Sequence, residues 1–270
     1  MPSKLVEPAQ ATPSSNGLLV QGRVLHALLI REMLTRYGRN NLGFLWLFLE
    51  PMLFTLAVTA LWTATRTIHG SDLPITAFAI TGYASMLMWR NMPARCINAI
   101  KGNKSLMFHR QVRPLDVYLS RILLEFGGSS ASFVLLVVAF WAFDAVALPE
   151  DALQLLGGWL TLGWFGAGLA MVLGALSEKS ELVDKLWPPF SYLLFPFSGA
   201  AFIVESLPEK AREILLYLPM LNCVEFIREG YFGTKMRAYY DMEYVVVFNL
   251  VLSLVALAMV RLQTVEADYE

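Results

Sequence analysis

Charge is scarce in this sequence. Asp, Glu, Lys and Arg make up 16% of its 270 residues, against 56% for hydrophobic residues, whereas a soluble domain carries about 25% charged residues. One soluble core cannot absorb that much apolar side chain. Cysteine and histidine are scarcer still: Cys96 and Cys223, and His26, His69 and His109, stand apart without ligand spacing, which leaves no metal site to read. No G-x-x-x-x-G-K-[ST] phosphate loop occurs, so any ATP-driven work needs a nucleotide site on another chain. No acid/base cluster on one face marks an enzyme, which argues against a membrane-embedded glycan enzyme. Mid-span carboxylates and histidines are few and no two-half hydropathy repeat is visible, which argues against a proton-coupled carrier.

Long apolar runs fill the space that charge leaves. About 20 apolar residues span a bilayer as a helix, and six spans are expected, at residues 42–65, 73–92, 115–143, 152–176, 186–204 and 243–262. The fold expected is an all-α membrane protein. Residues 1–16 are rich in Pro, Ser and Ala without an apolar core, and read as a disordered cytoplasmic tail rather than a signal peptide; residues 263–270 form a second tail. With the N-terminus inside, fifteen of the 21 Lys and Arg fall on the cytoplasmic side, including Arg31, Arg36, Arg39, Arg90, Arg95 and Arg121. That bias orients the chain with both termini cytoplasmic. It also puts Cys96 and Cys223 on opposite sides, which excludes a disulfide between them.

Three segments fit no span. Residues 17–40 read as a helix in the cytoplasmic interface, with Leu19, Ala27, Ile30 and Leu34 on one side and Gln21, Arg31, Glu32 and Thr35 on the other. The basic loop between the second and third spans encloses Ser105, Leu106, Met107, Phe108, His109 and Arg110, an apolar turn inside charge. Residues 205–235 hold two helices too short to span. Ser206-Leu207-Pro208-Glu209 has the pattern of a capping box opening the first, and Pro219 is placed to stop it. The second is expected to open at Asn222 and close at Gly230. A helical hairpin re-entering the outer leaflet accounts for both.

Arg36-Tyr37, Leu42-Gly43-Phe44-Leu45-Trp46 and Glu50-Pro51 together resemble the N-terminal motif of ABC-2 type permeases that export polysaccharides. Arg228-Glu229-Gly230-Tyr231-Phe232-Gly233, after the short helical pair, is similar to capsular polysaccharide exporters of Gram-negative bacteria. The resemblance implies that residues 17–262 form one ABC-2 type transmembrane domain, and that the protein is a permease and not an enzyme. It further implies a homodimer in the bacterial inner membrane, a separate cytoplasmic ATPase that binds the ATP and magnesium, and no cofactor in this chain. Its substrate would be a lipid-linked capsular polysaccharide, and O-antigen or teichoic acid is the alternative cargo. A periplasmic co-polymerase and an outer-membrane export channel are the accessory partners implied, and no nucleic acid is.

The site residues expected follow from these two readings. Residues 105–110 are assigned to ATPase coupling, since an apolar knob on a cytoplasmic loop suits a groove on a partner. The candidates for the substrate path or gate are Arg36, Tyr37, Trp46, Glu50, Tyr83, Trp164, Tyr192, Arg228, Tyr231 and Phe232. Each has a plainer alternative. Glu50 either faces the conduit, where a carboxylate is costly without a partner, or is a helix-start residue near the interface. The aromatics either stack on sugar rings or form the ordinary interfacial belt. Glu225, Arg228 and Glu229 stand at i, i+3 and i+4, and read first as a solvated helix face with a local ion pair. The small-residue stripe Gly163, Ala167, Ala170 and Gly174 serves either packing within the chain or a dimer contact.

Overall fold

A computed structural model describes residues 17–37, 42–65, 73–104 and 112–269. At 18, 36–37, 42–48, 50–51, 64–65 and 264–269 only the backbone is described. The described chain is helical: α1 Gly17–Tyr37, α2 Leu42–Thr65, α3 Ile75–Cys96, α4 Pro114–Ala142, α5 Ala152–Lys179, α6 Leu182–Leu194, α7 Glu209–Leu215, α8 Pro219–Phe232 and α9 Met242–Tyr269. Among the described residues, α4, α5 and the Met242–Gln263 part of α9 are long and apolar enough to cross a membrane.

Local chemistry sets the helix starts. Pro114 opens α4, and Asp116 at its third position accepts the Arg113 N–H at 2.9 Å. Asp151 caps α5 by accepting the N–H groups of Leu153 and Gln154, each at 2.9 Å. Each cap satisfies donors that a helix start leaves orphaned.

α5 runs through the middle of the bundle, against α3, α8 and α9. Its small residues allow the close approach. The Phe126 ring sits over Gly163, and the Tyr118 ring over Gly174, where a Cβ would intrude. Packing within the chain therefore uses this stripe. The core between the helices is led by Trp89, Tyr118, Phe78, Met88 and Leu162, each almost wholly shielded.

The helix ends sort into two groups. At one end, the start of α3 meets α8 and the start of α5. At the other, the end of α3, the start of α4 and the end of α5 come together, and α1 packs against α4. There Glu32 of α1 pairs with Arg121 at 3.2 Å, Gln21 donates to Asp116, and Arg31 Nη1 donates to Asn103 Oδ1 at 2.8 Å. Three polar residues of α1 thus tie it to the protein, while Leu19, Ile30 and Leu34 stay exposed.

Several expectations are corrected. The 186–204 segment, expected to break at Pro188-Pro189 and at Pro196, is not broken at the first pair: α6 carries Pro188 and Pro189 inside it, and it gives way to a 3-10 turn at Phe195–Phe197 with Pro196. At 13 residues α6 is about 20 Å long, short of the ~30 Å hydrocarbon core. Ser206 does not cap α7, because its hydroxyl donates to the Ile203 carbonyl at 2.7 Å instead. Pro219 begins α8 rather than merely ending α7, as proline is suited to the first helical position. Gly230 does not close α8. Gly233 does, with φ of 57°, a conformation that glycine adopts without a Cβ penalty.

Candidate functional site

The most polar buried point of the bundle lies where α8 meets α3. Arg228 and Glu225 are completely shielded, which overturns the reading of these residues as a solvated face. The Arg228 guanidinium donates to the carbonyls of Gly199 at 2.5 Å, Phe202 at 2.8 Å and Ala200 at 3.1 Å, and more loosely to Phe78 at 3.5 Å. It also lies 3.7 Å over the Phe78 ring. Glu225 accepts the N–H groups of Val204 and Tyr239 at 3.3 and 3.4 Å. Burial raises its carboxyl to about 7, against the pull of the Arg228 charge and these two N–H donors. Asn222 adds a third polar tie, donating to the carbonyls of Leu216 and Leu218 and accepting the Asp241 N–H at 2.8 Å. One helix face therefore fixes the irregular stretch after α6, the α7–α8 turn and the approach to α9. These ties turn backbone that lacks helical partners into a satisfied network.

The end of α8 is held just as firmly. The buried Tyr231 donates its hydroxyl to the Ala147 carbonyl at 2.7 Å, and Phe232 packs edge-on against it at 5.1 Å. The N–H groups of Glu150 and Asp151 donate to the carbonyls of Tyr231 and Gly230. Glu229 accepts from Gln154 and from the Tyr240 hydroxyl, both at 2.6 Å.

A second region lines α6 and the open side of α3. Tyr83 is buried among rings, with Trp62, Phe195 and Phe54 centred 5.4, 5.6 and 5.7 Å away. Tyr192 is 63% exposed. Over its ring, at 3.9 Å, lies the guanidinium of Arg90, whose Nε donates to Ser191 Oγ at 3.3 Å. Sequence reasoning counted Arg90 among the cytoplasmic charges that close the second span. The helix continues six residues past it, to Cys96, so the residue stands inside α3. The signal was the lack of any breaker between Trp89 and Pro93. On the other side of α6, Leu173, Leu182, Val183, Leu186, Trp187, Pro189, Phe190 and Leu193 line a cavity of about 470 Å³. Its walls are apolar and suit only hydrocarbon.

The remaining expected residues separate into placed and unplaced. Trp164, half-buried on α5, donates its indole N–H to Ser253 at 2.8 Å. Arg36, Tyr37, Trp46 and Glu50 are on described helices, but their side chains lie outside the description, as does the whole of residues 105–110. The turn leading to that segment is held from two sides. Glu178 accepts the N–H groups of Ile100 and Lys101, Ser177 Oγ accepts that of Asn98 at 2.8 Å, and Asn103 accepts from Arg31. Among the described residues, no group of His, Cys, Asp and Glu could hold a metal ion.

A helical bundle fixed by buried polar anchors, with three helices long and apolar enough to cross a bilayer among the described residues, has the build of a helical membrane protein. The chain belongs to the ABC-2 type transporter family, whose membrane domain it matches over residues 23–232. It is 42% identical over 243 residues to the capsule polysaccharide export inner-membrane protein CtrC of Neisseria meningitidis, covering 90% of this chain and 92% of that protein. It is 40% identical over 250 residues to the capsule polysaccharide export inner-membrane protein BexB of Haemophilus influenzae, covering 93% and 94%. It is 27% identical over 248 residues to the polysialic acid transport protein KpsM of Escherichia coli, covering 91% and 95%.

Proposed function

We propose that this chain is the permease of an ATP-driven exporter of capsule polysaccharide in the bacterial inner membrane. The observation that carries the reading is the end-to-end similarity to CtrC and BexB, both named for capsule export. Membership of the ABC-2 family calls for an ABC ATPase as the energy source, and the chain has no phosphate loop of its own.

In this reading the membrane is crossed six times, by α2, α3, α4, α5, the segment from α6 to Val204, and α9, with both termini in the cytoplasm. α1 lies on the inner surface, and α7 and α8 form a hairpin at the outer face. Two copies pair to form the conduit. Residues 105–110 dock the ATPase, and a periplasmic co-polymerase and an outer-membrane channel continue the path. The Arg228 network supports a hairpin that moves as a unit. The tie of Asn98–Asn103 to both α1 and α5 supports transmission from the docking loop into the bundle.

The test is deletion of the gene in an encapsulated host and complementation with the intact chain. Restored surface polysaccharide is expected. Normal surface polysaccharide in the deletion strain, or intracellular polymer that complementation fails to clear, overturns the reading.

A further inference from the structure

Arg90 differs from three other arginines anchored within the bundle. Arg95 pairs with Glu125 at 3.2 Å, Arg121 pairs with Glu32 at 3.2 Å, and Arg228 is surrounded by carbonyls. Arg90 has a ring and one hydroxyl, both on α6. Among the described residues no carboxylate pairs with it, and neither of its terminal nitrogens has an acceptor. An intramembrane cation without a counter-charge is costly, and such residues mark paths for ions and substrates.

Snorkelling to the inner surface does not explain the geometry. Arg90 lies six residues before the end of α3, or about 9 Å from it at the helical rise. Its partners Ser191 and Tyr192 lie nine and ten residues into α6, about 14 Å from the end that joins α5. The guanidinium therefore reaches across to α6 and away from the inner end. Along α3, residues 77–89 are all buried, and Arg90 is the first side chain beyond them to reach an open surface.

We propose that Arg90, Ser191 and Tyr192 form a binding station for the acid groups of a passing glycan. The two free nitrogens of the guanidinium present the fork that binds a carboxylate or phosphate bidentately. Their orientation is set by Ser191 and by the Tyr192 ring beneath. The same ring, 63% exposed, offers an apolar face to the C–H side of the adjoining sugar. The station would hold an acidic polymer on the permease wall and discriminate against an uncharged one. This rests on the proposed export function.

The test uses the full permease with its ATPase in lipid nanodiscs. The probes are a fluorescent galacturonic acid oligomer and the same oligomer with its carboxyls reduced to alcohols, read by anisotropy. Wild type is expected to bind the acidic probe more tightly, and added salt to weaken that preference. Arg90→Gln should lower affinity for the acidic probe about tenfold or more and leave the reduced probe unchanged, with Arg90→Lys intermediate. Tyr192→Leu, at an exposed site, should weaken both probes and carries the test if Arg90→Gln does not assemble.

Equal binding of the two probes by wild type overturns the station, as does unchanged binding by Arg90→Gln or, in its place, by Tyr192→Leu. A lipid arm repeats the comparison in nanodiscs with and without phosphatidylglycerol. If Arg90→Gln removes bound phosphatidylglycerol and leaves glycan binding intact, the residue is a lipid contact and the station is overturned. Complementation separates the two readings: failure of wild type to restore surface glycan removes the export function. Wild type and Arg90→Gln restoring it equally, with equal probe binding, removes the station alone.

Discussion

Gly82 leaves open the space that the Arg228 guanidinium fills. A Cβ at position 82 would press on that guanidinium and lie 2.6 Å from the Ala200 carbonyl oxygen, one of the acceptors Arg228 uses. The anchor is thus built on bare α3 backbone. Gly82→Ala must displace either the guanidinium or the 199–202 backbone, and overpacking of this kind costs about 1–3 kcal/mol. Arg228→Met retains bulk but leaves several buried carbonyls without their donor and removes the charge near Glu225, a loss of about 3 kcal/mol or more. Thermal unfolding in detergent should place both variants below wild type, with Arg228→Met lower. Wild-type melting of Gly82→Ala would show that this contact is loose.

Helix placement was largely legible, because apolar length is a direct property of composition. The bounds of α2 coincide with the expected first span, and α4 and α5 differ from theirs by only a few residues. What could not be read was which polar residues are buried. Glu225 and Arg228 at i and i+3 carry the same pattern as a solvated face, and only the backbone of residues 199–204, its carbonyls on Arg228 and the Val204 N–H on Glu225, turns them into an anchor. Proline misled for a related reason: it reads as a stop, yet Pro219 starts a helix, and α6 tolerates Pro188 and Pro189 near its middle. Arg90 was misread because positive charge after an apolar run is ordinarily the membrane boundary.

Topology is testable through the burial of both native thiols. Cys96 and Cys223 are fully shielded, and burial pushes the Cys223 thiol up to about 12, so neither should label rapidly in the folded protein. Cysteines placed at exposed positions then report without background. Leu148→Cys, in the loop between α4 and α5, should react with a membrane-impermeant maleimide added to spheroplasts. Gly102→Cys, at the other end of the bundle, should react only after the membrane is opened. The reverse pattern would invert the proposed orientation.

The proposed docking of an ATPase on residues 105–110 can be tested apart from the hydrogen bonds that hold the turn before them. Phe108→Ala or Leu106→Asp should leave the permease inserted but weaken co-purification of the ATPase, since a groove-docked apolar anchor often carries ~2 kcal/mol or more. Glu178→Ala acts differently. It removes the acceptor for two N–H groups at Ile100 and Lys101 without touching the docking residues. Its expected result is retained ATPase with reduced export per ATP hydrolysed. Full retention of ATPase and transport in the Phe108 and Leu106 variants would reduce the loop to a basic lipid-facing patch.

Glu50 is the residue for which chemistry and position must be separated by experiment. It stands on α2 beside Pro51, in a helix otherwise free of charge. Glu50→Gln keeps the volume and hydrogen-bonding reach and removes only the charge. If the carboxylate serves the conduit or gate, surface polysaccharide should fall while membrane insertion and dimer formation stay at wild-type level. A helix-start role near the interface predicts only a small stability loss, a few tenths to about 1 kcal/mol from the helix dipole, with export near normal. Surface glycan is therefore measured at matched permease levels, with the melting temperature of the purified protein beside it. Normal glycan with a slightly lower melting temperature assigns Glu50 to the helix. Lost glycan with unchanged melting assigns it to transport, because a charge that matters only to the moving substrate leaves the resting fold untouched.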